Sequence, residues 1–466
     1  MTRPPNTTAA PATAAQATGG PATGGPAGAA GKLTTGGPSG SGLPAIGDWS
    51  SFDELRARQD ERIAPALHHA RNSPFYDKRL EPGQGLAQLG LTTKADLRES
   101  YPFNMLAVPR ERLATYHESS GSTGNPTPAY FTEAEWADLA DRFVRKTVPI
   151  GPTDTLLVRI PYGLVLAGHM AHWAAMRSGA TVVPGDCRSL AVPYSRVVRL
   201  LHDLEVTLTW STPSESLIWV AAAKAAGYSP GSFPALRALY VAGEPISSAR
   251  RRRIEEIWGA LVIEEYGCTE VGPLGSDCPY GRMHFWADRV LPEIYDPQSG
   301  QITPEGTGQL VITPLYREAM PLLRYNLEDV VDLRYEDCPC DWKLPTVRVL
   351  GRLGQGYTVG GRRLGQIQVE ELVFRLPAAH GVLFWRARAE PERLVVQIEV
   401  PGPGSQEACA TLAASIEAEL GVRCAVSAVP EGTLVPGELL AERLDAMKPR
   451  KLFGPGENWE QAIVRG

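Results

Sequence analysis

No run of about twenty consecutive apolar residues occurs in this chain, so none of it reads as a membrane span. Positive charge is not in excess either. The 46 Lys and Arg stand against 52 Asp and Glu, a net charge of −6, which argues against a nucleic-acid partner. The brief exception, Arg250 to Arg253, lies on a helical pattern and is expected to be a solvated helix end. Residues 1–47 have no aromatic side chain and are almost wholly Pro, Ala, Thr and Gly, too little apolar surface to offset the entropy of ordering. A disordered tail is expected there. It lacks the apolar centre of a secretory signal and the repeated arginines of a transit peptide, so a cytoplasmic protein is expected. In that reducing compartment the seven cysteines are thiols or metal ligands before they are disulfides.

What is present is an ordinary globular composition, 43% hydrophobic and 21% charged, over 466 residues, enough for two or three domains with a sizeable core. The most distinctive stretch is HESSGSTGNPTPAYFT, residues 117–132. Ser119, Ser120, Gly121, Ser122, Thr123 and Gly124 combine little bulk with many donors. Gly121 and Gly124 tolerate the positive φ angles that a concave nest of amides needs, so the loop can wrap an anion such as polyphosphate. Asn125 stands where the phosphate loop of nucleotide hydrolases has lysine, which excludes that motif. A plain Ser/Thr/Gly surface loop is the alternative.

Around this loop the chain alternates. DELRARQDERIAPALHHARNSPFY (53–76) has helical spacing, and Thr93 caps a short helix in TTKADLRESYPF. The apolar runs TLLVRI (155–160), ATVVPG (180–185), VTLTWS (206–211), LRALYVAG (236–243) and LVIEEYG (261–267) are separated by helical patterns. This βαβα order predicts an α/β fold with parallel strands, and ligands in such sheets sit at the carboxyl ends of strands. Those ends carry Gly243, Glu244 and Pro245, then Tyr266, Gly267, Cys268, Thr269 and Glu270. Glu270 can hold Mg²⁺ against phosphate oxygens, or can simply cap a helix. Asp329, five residues after Arg324 in an apolar segment, can accept the hydroxyls of a ribose or pair with that arginine. From residue 351 the texture changes to GRLGQGYTVGGRRLG and then to a segment suited to a small α+β domain, with a helix near 405–420. Cys278, His284, Cys338 and Cys340 form C-x₅-H and, far downstream, C-x-C. Together they offer a tetrahedral, closed and therefore structural Zn²⁺ shell, against free thiols plus a surface histidine. Cys187, Cys268, Cys409 and Cys424 show no such spacing and are expected to be buried apolar cysteines.

Taken in order, SSGSTG, GEP, YGCTE, RYNLED, the Gly-Arg at 351–352 and a late lysine resemble the adenylate-forming enzymes, in particular the phenylacetate–coenzyme A ligase branch. The likeness runs from about Ser51 to about Phe453 and includes AVPRERL and REAMPLLRY. It implies a large N-terminal adenylation domain (48–350) and a small mobile C-terminal lid (351–466). It also implies ATP- and Mg²⁺-dependent conversion of a carboxylic acid to an acyl-adenylate, followed by transfer to coenzyme A. By the match Thr123 and its loop would meet phosphate, Glu270 would hold Mg²⁺, Glu244 and Pro245 would lie along the adenine with Tyr266 beside it, and Gly243, Gly267 and Thr269 would be further ATP/AMP-binding residues. Asp329 would hold the ribose, Arg352 would stand at the hinge, and Lys448, with Lys451 as the fallback, would be the mobile catalytic lysine. The aromatic acid would lie against Tyr162, Gly163, Leu164, Ala167, His169 and Trp173, where His169 could meet a ring hydroxyl or amine; Trp210 and Ser211 are further candidates. The four Cys/His residues recur in a zinc-containing subset of this branch. Asn125 departs from the lysine common after the loop, and Leu353, Gly354 and Gln355 replace the hinge's acidic pair. The leading expectation is an aryl-acid:CoA ligase. A second is an acyl-AMP ligase of secondary metabolism that passes the aryl group to an amine, hydroxyl or carrier-protein thiol. A third is a catalytically silent nucleotide-binding scaffold.

Overall fold

The computed structural model describes residues 43–119, 126–352, 354, 356–442 and 450–460. Most of the expected tail, the centre of the Ser/Thr/Gly loop and Lys448 therefore lie outside the described residues. The chain opens with α1 (Phe52–Ala70), capped by Ser51 with Asp53 and Glu54 in its first turn. Two short helices follow, α2 (Pro74–Asp77) and α3 (Lys94–Glu99). The latter starts with a reciprocal Thr93/Asp96 capping box. The hairpin β1 (Leu113–Glu118) and β2 (Pro128–Thr132) flanks the Ser/Thr/Gly loop and leads into α4 (Glu133–Val144).

A βα alternation then runs through β3 (Thr155–Val158), α5 (Leu166–Arg177), β4 (Thr181–Pro184), α6 (Tyr194–Asp203), β5 (Leu208–Ser211), α7 (Pro213–Ala225), β6 (Ala238–Val241), α8 (Ser248–Trp258) and β7 (Leu261–Cys268). These strands pair in parallel in the order β4-β3-β5-β6-β7. Strands β5 and β6 are buried at every position, as the continuous apolar runs required. Alternate residues serve two cores. Val158, Trp210, Tyr240 and Ile263 face one; Leu157, Leu239, Val241 and Val262 face the other.

The sheet does not end at β7. It continues antiparallel through β8 (Gly272–Asp277), β9 (Met283–Phe285), β10 (Val290–Tyr295), β11 (Ile302–Thr303), β12 (Gly306–Pro314), β13 (Tyr325–Arg334) and β14 (Thr346–Arg352), giving twelve strands in the order β11-β10-β12-β13-β14-β9-β8-β7-β6-β5-β3-β4. This half was not foreseen. Strands with polar interruptions, such as the YNLEDVVDLR of β13, carry a weaker period than the parallel block.

The remainder is the small α+β portion: β15 (Tyr357–Val359), β16 (Arg362–Leu364), α9 (Gln366–Arg375), β17 (Trp385–Ala389), β18 (Leu394–Glu399), α10 (Ser405–Leu420), β19 (Cys424–Val429), α11 (Gly437–Glu442) and β20 (Leu452–Phe453). Four of its strands form a sheet in the order β19-β18-β17-β20. Its apolar residues Val369, Leu372 and Trp385 join the second core, continuous with α7 and α8.

The expectation of a solvated helix end at Arg250 to Arg253 holds for the exposed Arg252 and is corrected for Arg250 and Arg253. Ser247 caps α8, so the arginines form its first turns, and α9 packs over them. Arg250 is fully buried and pairs with Glu370 at 3.2 Å, and Arg253 donates to Leu376 O at 2.5 Å. Arginines at a helix N-terminus oppose its dipole, and the buried carboxylates of Glu370 and Glu244 compensate. Among the described residues no helix is long and apolar enough to cross a membrane.

Candidate active site

At the carboxyl edge of the parallel block, strands β5 to β7, the start of β13 and the start of α5 line a cleft that is partly open to solvent. Its polar wall is built from strand ends. Glu270, just past β7, is 4% exposed, and its Oε1 accepts from Thr127 Oγ1 at 2.6 Å and Tyr325 OH at 2.9 Å. Thr127 and Ser119 also close the stem of the Ser/Thr/Gly loop on each other: Ser119 N donates to Thr127 O at 3.0 Å, and Thr127 N to Ser119 Oγ at 2.9 Å. The loop therefore springs from beside Glu270. Ser120, Gly121, Ser122, Thr123 and Gly124 themselves lie outside the described residues.

Asp329 stands on β13, with Oδ2 accepting from Tyr266 OH at 2.7 Å and Oδ1 from Arg352 Nε at 2.9 Å. Its partner is Arg352, not Arg324, which pairs instead with Glu293 at 2.6 Å. Burial and the Asp329 carboxylate push the Tyr266 phenol well up, so it remains a donor. The β7–β8 turn is tight: a Cβ on Gly267 would stand 2.6 Å from Gly272 O. Gly243, at φ +86°, turns the chain at the end of β6 and lines the cleft, as do Gly267 and Thr269. Glu244 and Pro245 are outside the lining; the Glu244 carboxylate turns inward to Ser214 N at 2.5 Å and Arg250 at 3.3 Å. Cys268 corrects the expectation of an apolar burial, for it lines the cleft, where burial and Glu270 push its thiol well up.

Two cations missed from the sequence, Lys94 and Arg98 of α3, also face the cleft. The Thr93 cap and the Lys94/Arg98 spacing of one helical turn were the available signal. The fallback lysine, Lys451, is buried at 3.4 Å from Glu370 and outside the cleft lining, and burial lowers its pKa.

The apolar end of the cleft is formed by Ile160, Val165, Leu166, Ala167, Met170 and Trp210. Of the six expected acyl-pocket residues, Ala167 alone lines it. The reason is where α5 begins. Leu166 and Met170, one turn apart, face the sheet, whereas Tyr162, Gly163 and Leu164 belong to the preceding turn. Leu164 is exposed at φ 58°, His169 Nε2 lies 2.8 Å from Tyr162 O, and Trp173 packs edge-on against Trp136. Trp210 lines the cleft, and Ser211 is buried with its hydroxyl on Thr212 O.

Near β8 and β9 the four Cys/His residues converge, their ligand atoms all within 4.8 Å of one another. Cys278 Sγ is 3.8 Å from Cys338 Sγ, and Cys340 Sγ is 3.4 Å from His284 Nε2. The sulfur spacing is close to the edge of a tetrahedron with arms of about 2.3 Å and is far too long for a disulfide. His284 Nδ1 lies 2.7 Å from Leu344 O, which orients Nε2 toward the sulfurs. The donor set fits a closed Zn²⁺ shell.

Comparison with known proteins bears on all of this. A family model described as AMP-binding enzyme matches residues 58–313. The phenylacetate-coenzyme A ligase of Thermus thermophilus is 31% identical over 376 residues, 76% of this chain and 83% of the relative. That of Aromatoleum evansii is 33% identical over 359 residues, 73% of this chain and 80% of the relative. A solved structure of 2-hydroxyisobutyryl-CoA ligase in the postadenylation state superposes with a TM-score of 0.75 at 21% identity, over 89% of this chain and 94% of that one.

Proposed function

The chain belongs to the AMP-binding enzymes, in their phenylacetate-coenzyme A ligase-like branch, and from that premise we propose that the acid it activates is aromatic. As an AMP-forming acid:CoA ligase it uses ATP and coenzyme A. The observation that supports the finer reading is one cleft that joins the apolar chamber of Ile160, Leu166, Met170 and Trp210 to the carboxylates Glu270 and Asp329.

In the first half-reaction a carboxylate oxygen of the acid attacks the α-phosphorus of ATP, and pyrophosphate leaves with the electrons of the broken P–O bond. In the second, the coenzyme A thiolate attacks the acyl carbonyl and AMP leaves. The first step brings two anions together, and the chain's task is to disperse that charge. Arg352, Lys94 and Arg98 supply positive charge along the cleft. Asp329, already ordered by Tyr266 and Arg352, has acceptor capacity left for the ribose hydroxyls. Glu270 would hold Mg²⁺, which supplies charge neutralisation at phosphate. The Ser119–Gly124 loop, with Thr123, would donate to phosphate, and Lys448 would approach with the C-terminal portion acting as a lid. Cys278, His284, Cys338 and Cys340 would hold a structural Zn²⁺ that ties the β8–β9 turn to the β13–β14 loop.

The test is pyrophosphate release from ATP and Mg²⁺ with benzoic and phenylacetic acids, with and without coenzyme A. Aromatic acids should be activated in preference to short aliphatic ones and should appear as CoA thioesters. Pyrophosphate with aromatic acids but no thioester would move the acceptor to an amine, hydroxyl or carrier-protein thiol. Preference for aliphatic acids would overturn the aromatic assignment.

A further inference from the structure

Among the described residues the apolar chamber contains one carboxylate. Glu265, on β7, lines it, with its side chain 7% exposed. Its neighbour along the wall is Trp210, whose Nε1 donates to Glu265 Oε2 at 2.6 Å. From behind, Lys146 pairs with Oε1. The Lys146 side chain is completely buried, outside the cleft lining, with its ammonium 3.9 Å from the centre of the Phe143 ring and 4.8 Å from that of Tyr240. The Trp210 donor and the Lys146 contact therefore both reach Glu265 from the protein. A carboxylate offers about four acceptor positions, so capacity remains on the side that faces the chamber. His169, the polar group expected from the sequence to meet a ring substituent, has its Nε2 turned to Tyr162 O instead.

We propose that Glu265 is the specificity-determining residue of the chamber and selects acids that carry a hydrogen-bond donor, a ring hydroxyl or amino group, remote from the reacting carboxyl. This deepens the aromatic-acid assignment and rests on it for the ring. A purely apolar ring would strip water from a buried carboxylate and return nothing. Sites built to bond a substrate hydroxyl or amine discriminate against analogues without it by up to about 10⁴- to 10⁵-fold. A second carboxylate at the same place is excluded by like charge.

The alternative role for Glu265 is a counter-ion for Lys146 alone, which predicts no dependence on the acid's donor. The two are separated with the full-length chain, ATP and Mg²⁺, by comparing kcat/KM for pyrophosphate release. The acids are matched sets: hydroxy- and aminobenzoic acids, their O-methylated and methyl isosteres, and hydroxyalkanoic against alkanoic acids. The wild type should favour donor acids by about 100-fold or more, and O-methylation, which keeps the acceptor and removes the donor, should abolish the preference. Glu265→Gln should compress the ratio at least tenfold, chiefly by slowing the donor acids. Glu265→Gln with Lys146→Met, which leaves no unpaired buried charge, should do the same. A wild-type ratio within about threefold, or a ratio unchanged in a folded variant, overturns the proposal. Donor preference among aliphatic acids with no aromatic acid activated would keep Glu265's role and remove the aromatic one. No activation of any acid overturns both.

Discussion

Replacing Glu370 with leucine should cost this protein more than any comparable surface change. The side chain is 0% exposed and serves three groups: Arg250 Nη1 at 3.2 Å, Lys451 Nζ at 3.4 Å and Ser247 N at 3.0 Å. Arg250 is itself 0% exposed, so the substitution removes one of its two buried carboxylate partners and leaves it with Glu244 at 3.3 Å. Breaking a buried pair from one side costs about 3–5 kcal/mol. At roughly 2 °C or less per kcal/mol for a chain of this size, the melting temperature should fall by about 5–10 °C. The reciprocal change identifies the cause. Arg250→Met combined with Glu370→Leu removes both members of this pair, though it takes Arg250 from Glu244 as well, and should cost less than the sum of the single changes, a coupling of at least about 1 kcal/mol in the double-mutant cycle. Lys451→Met should cost less than Glu370→Leu, because burial and Arg250 already disfavour the Lys451 ammonium. The pH dependence has a fixed sign. Burial works against the Glu370 carboxylate, but Arg250 and Lys451 outweigh it and hold its pKa below the ordinary 4.5. Its stabilisation is thus present above about pH 4.5 and lost as pH falls through the depressed folded value. A melting temperature within 2 °C of wild type for Glu370→Leu, or additive double-mutant losses, would refute a buried network between α8 and α9.

Asp329→Asn should raise KM for ATP and lower kcat/KM by about 10- to 100-fold with little change in KM for the acid, in initial-rate assays that vary each substrate; loss confined to the acid would move Asp329 out of the nucleotide half. Metal analysis of the purified chain should find about one zinc per chain, and Cys338→Ser should remove it and lower the melting temperature, whereas well under half an equivalent in the wild type would remove the Zn²⁺ assignment. His117 is 4% exposed, and burial, then the nearby His169, lower its pKa from 6.5 to about 4. A depressed histidine pKa withdraws stability as pH falls from 6.5 toward 4, so urea unfolding of His117→Phe should show a shallower acid slope in that window; an unchanged slope would place the titration elsewhere.

The parallel half of the sheet was legible because its strands are mostly apolar runs between helical patterns. The antiparallel half was not, since strands such as β9 and β11 are too short to show a period. Glu270, Asp329 and the four Cys/His residues stood out as chemistry-bearing side chains in apolar or turn contexts; the fold puts the first two on one cleft and the ligand atoms of the other four within 4.8 Å of one another. The apolar walls of the cleft were read one turn early: the Tyr-Gly turn drew attention, while the Leu166/Met170 stripe of α5 faces the chamber. Arg250 and Lys146 were missed because sequence spacing shows which face of an element a charge occupies, not what later covers that face. Glu265 had a signal that went unread, an acid within the apolar run LVIEEYG.

The central claim is that this cleft sets the carboxylate of an aromatic acid against the α-phosphorus of ATP. The most direct test uses an aromatic acid labelled with ¹⁸O in its carboxyl group, ATP, Mg²⁺ and coenzyme A, and reads the label in AMP by mass spectrometry. One ¹⁸O atom in the phosphate of AMP is the predicted result. Unlabelled AMP, or label in pyrophosphate or free phosphate, would contradict it.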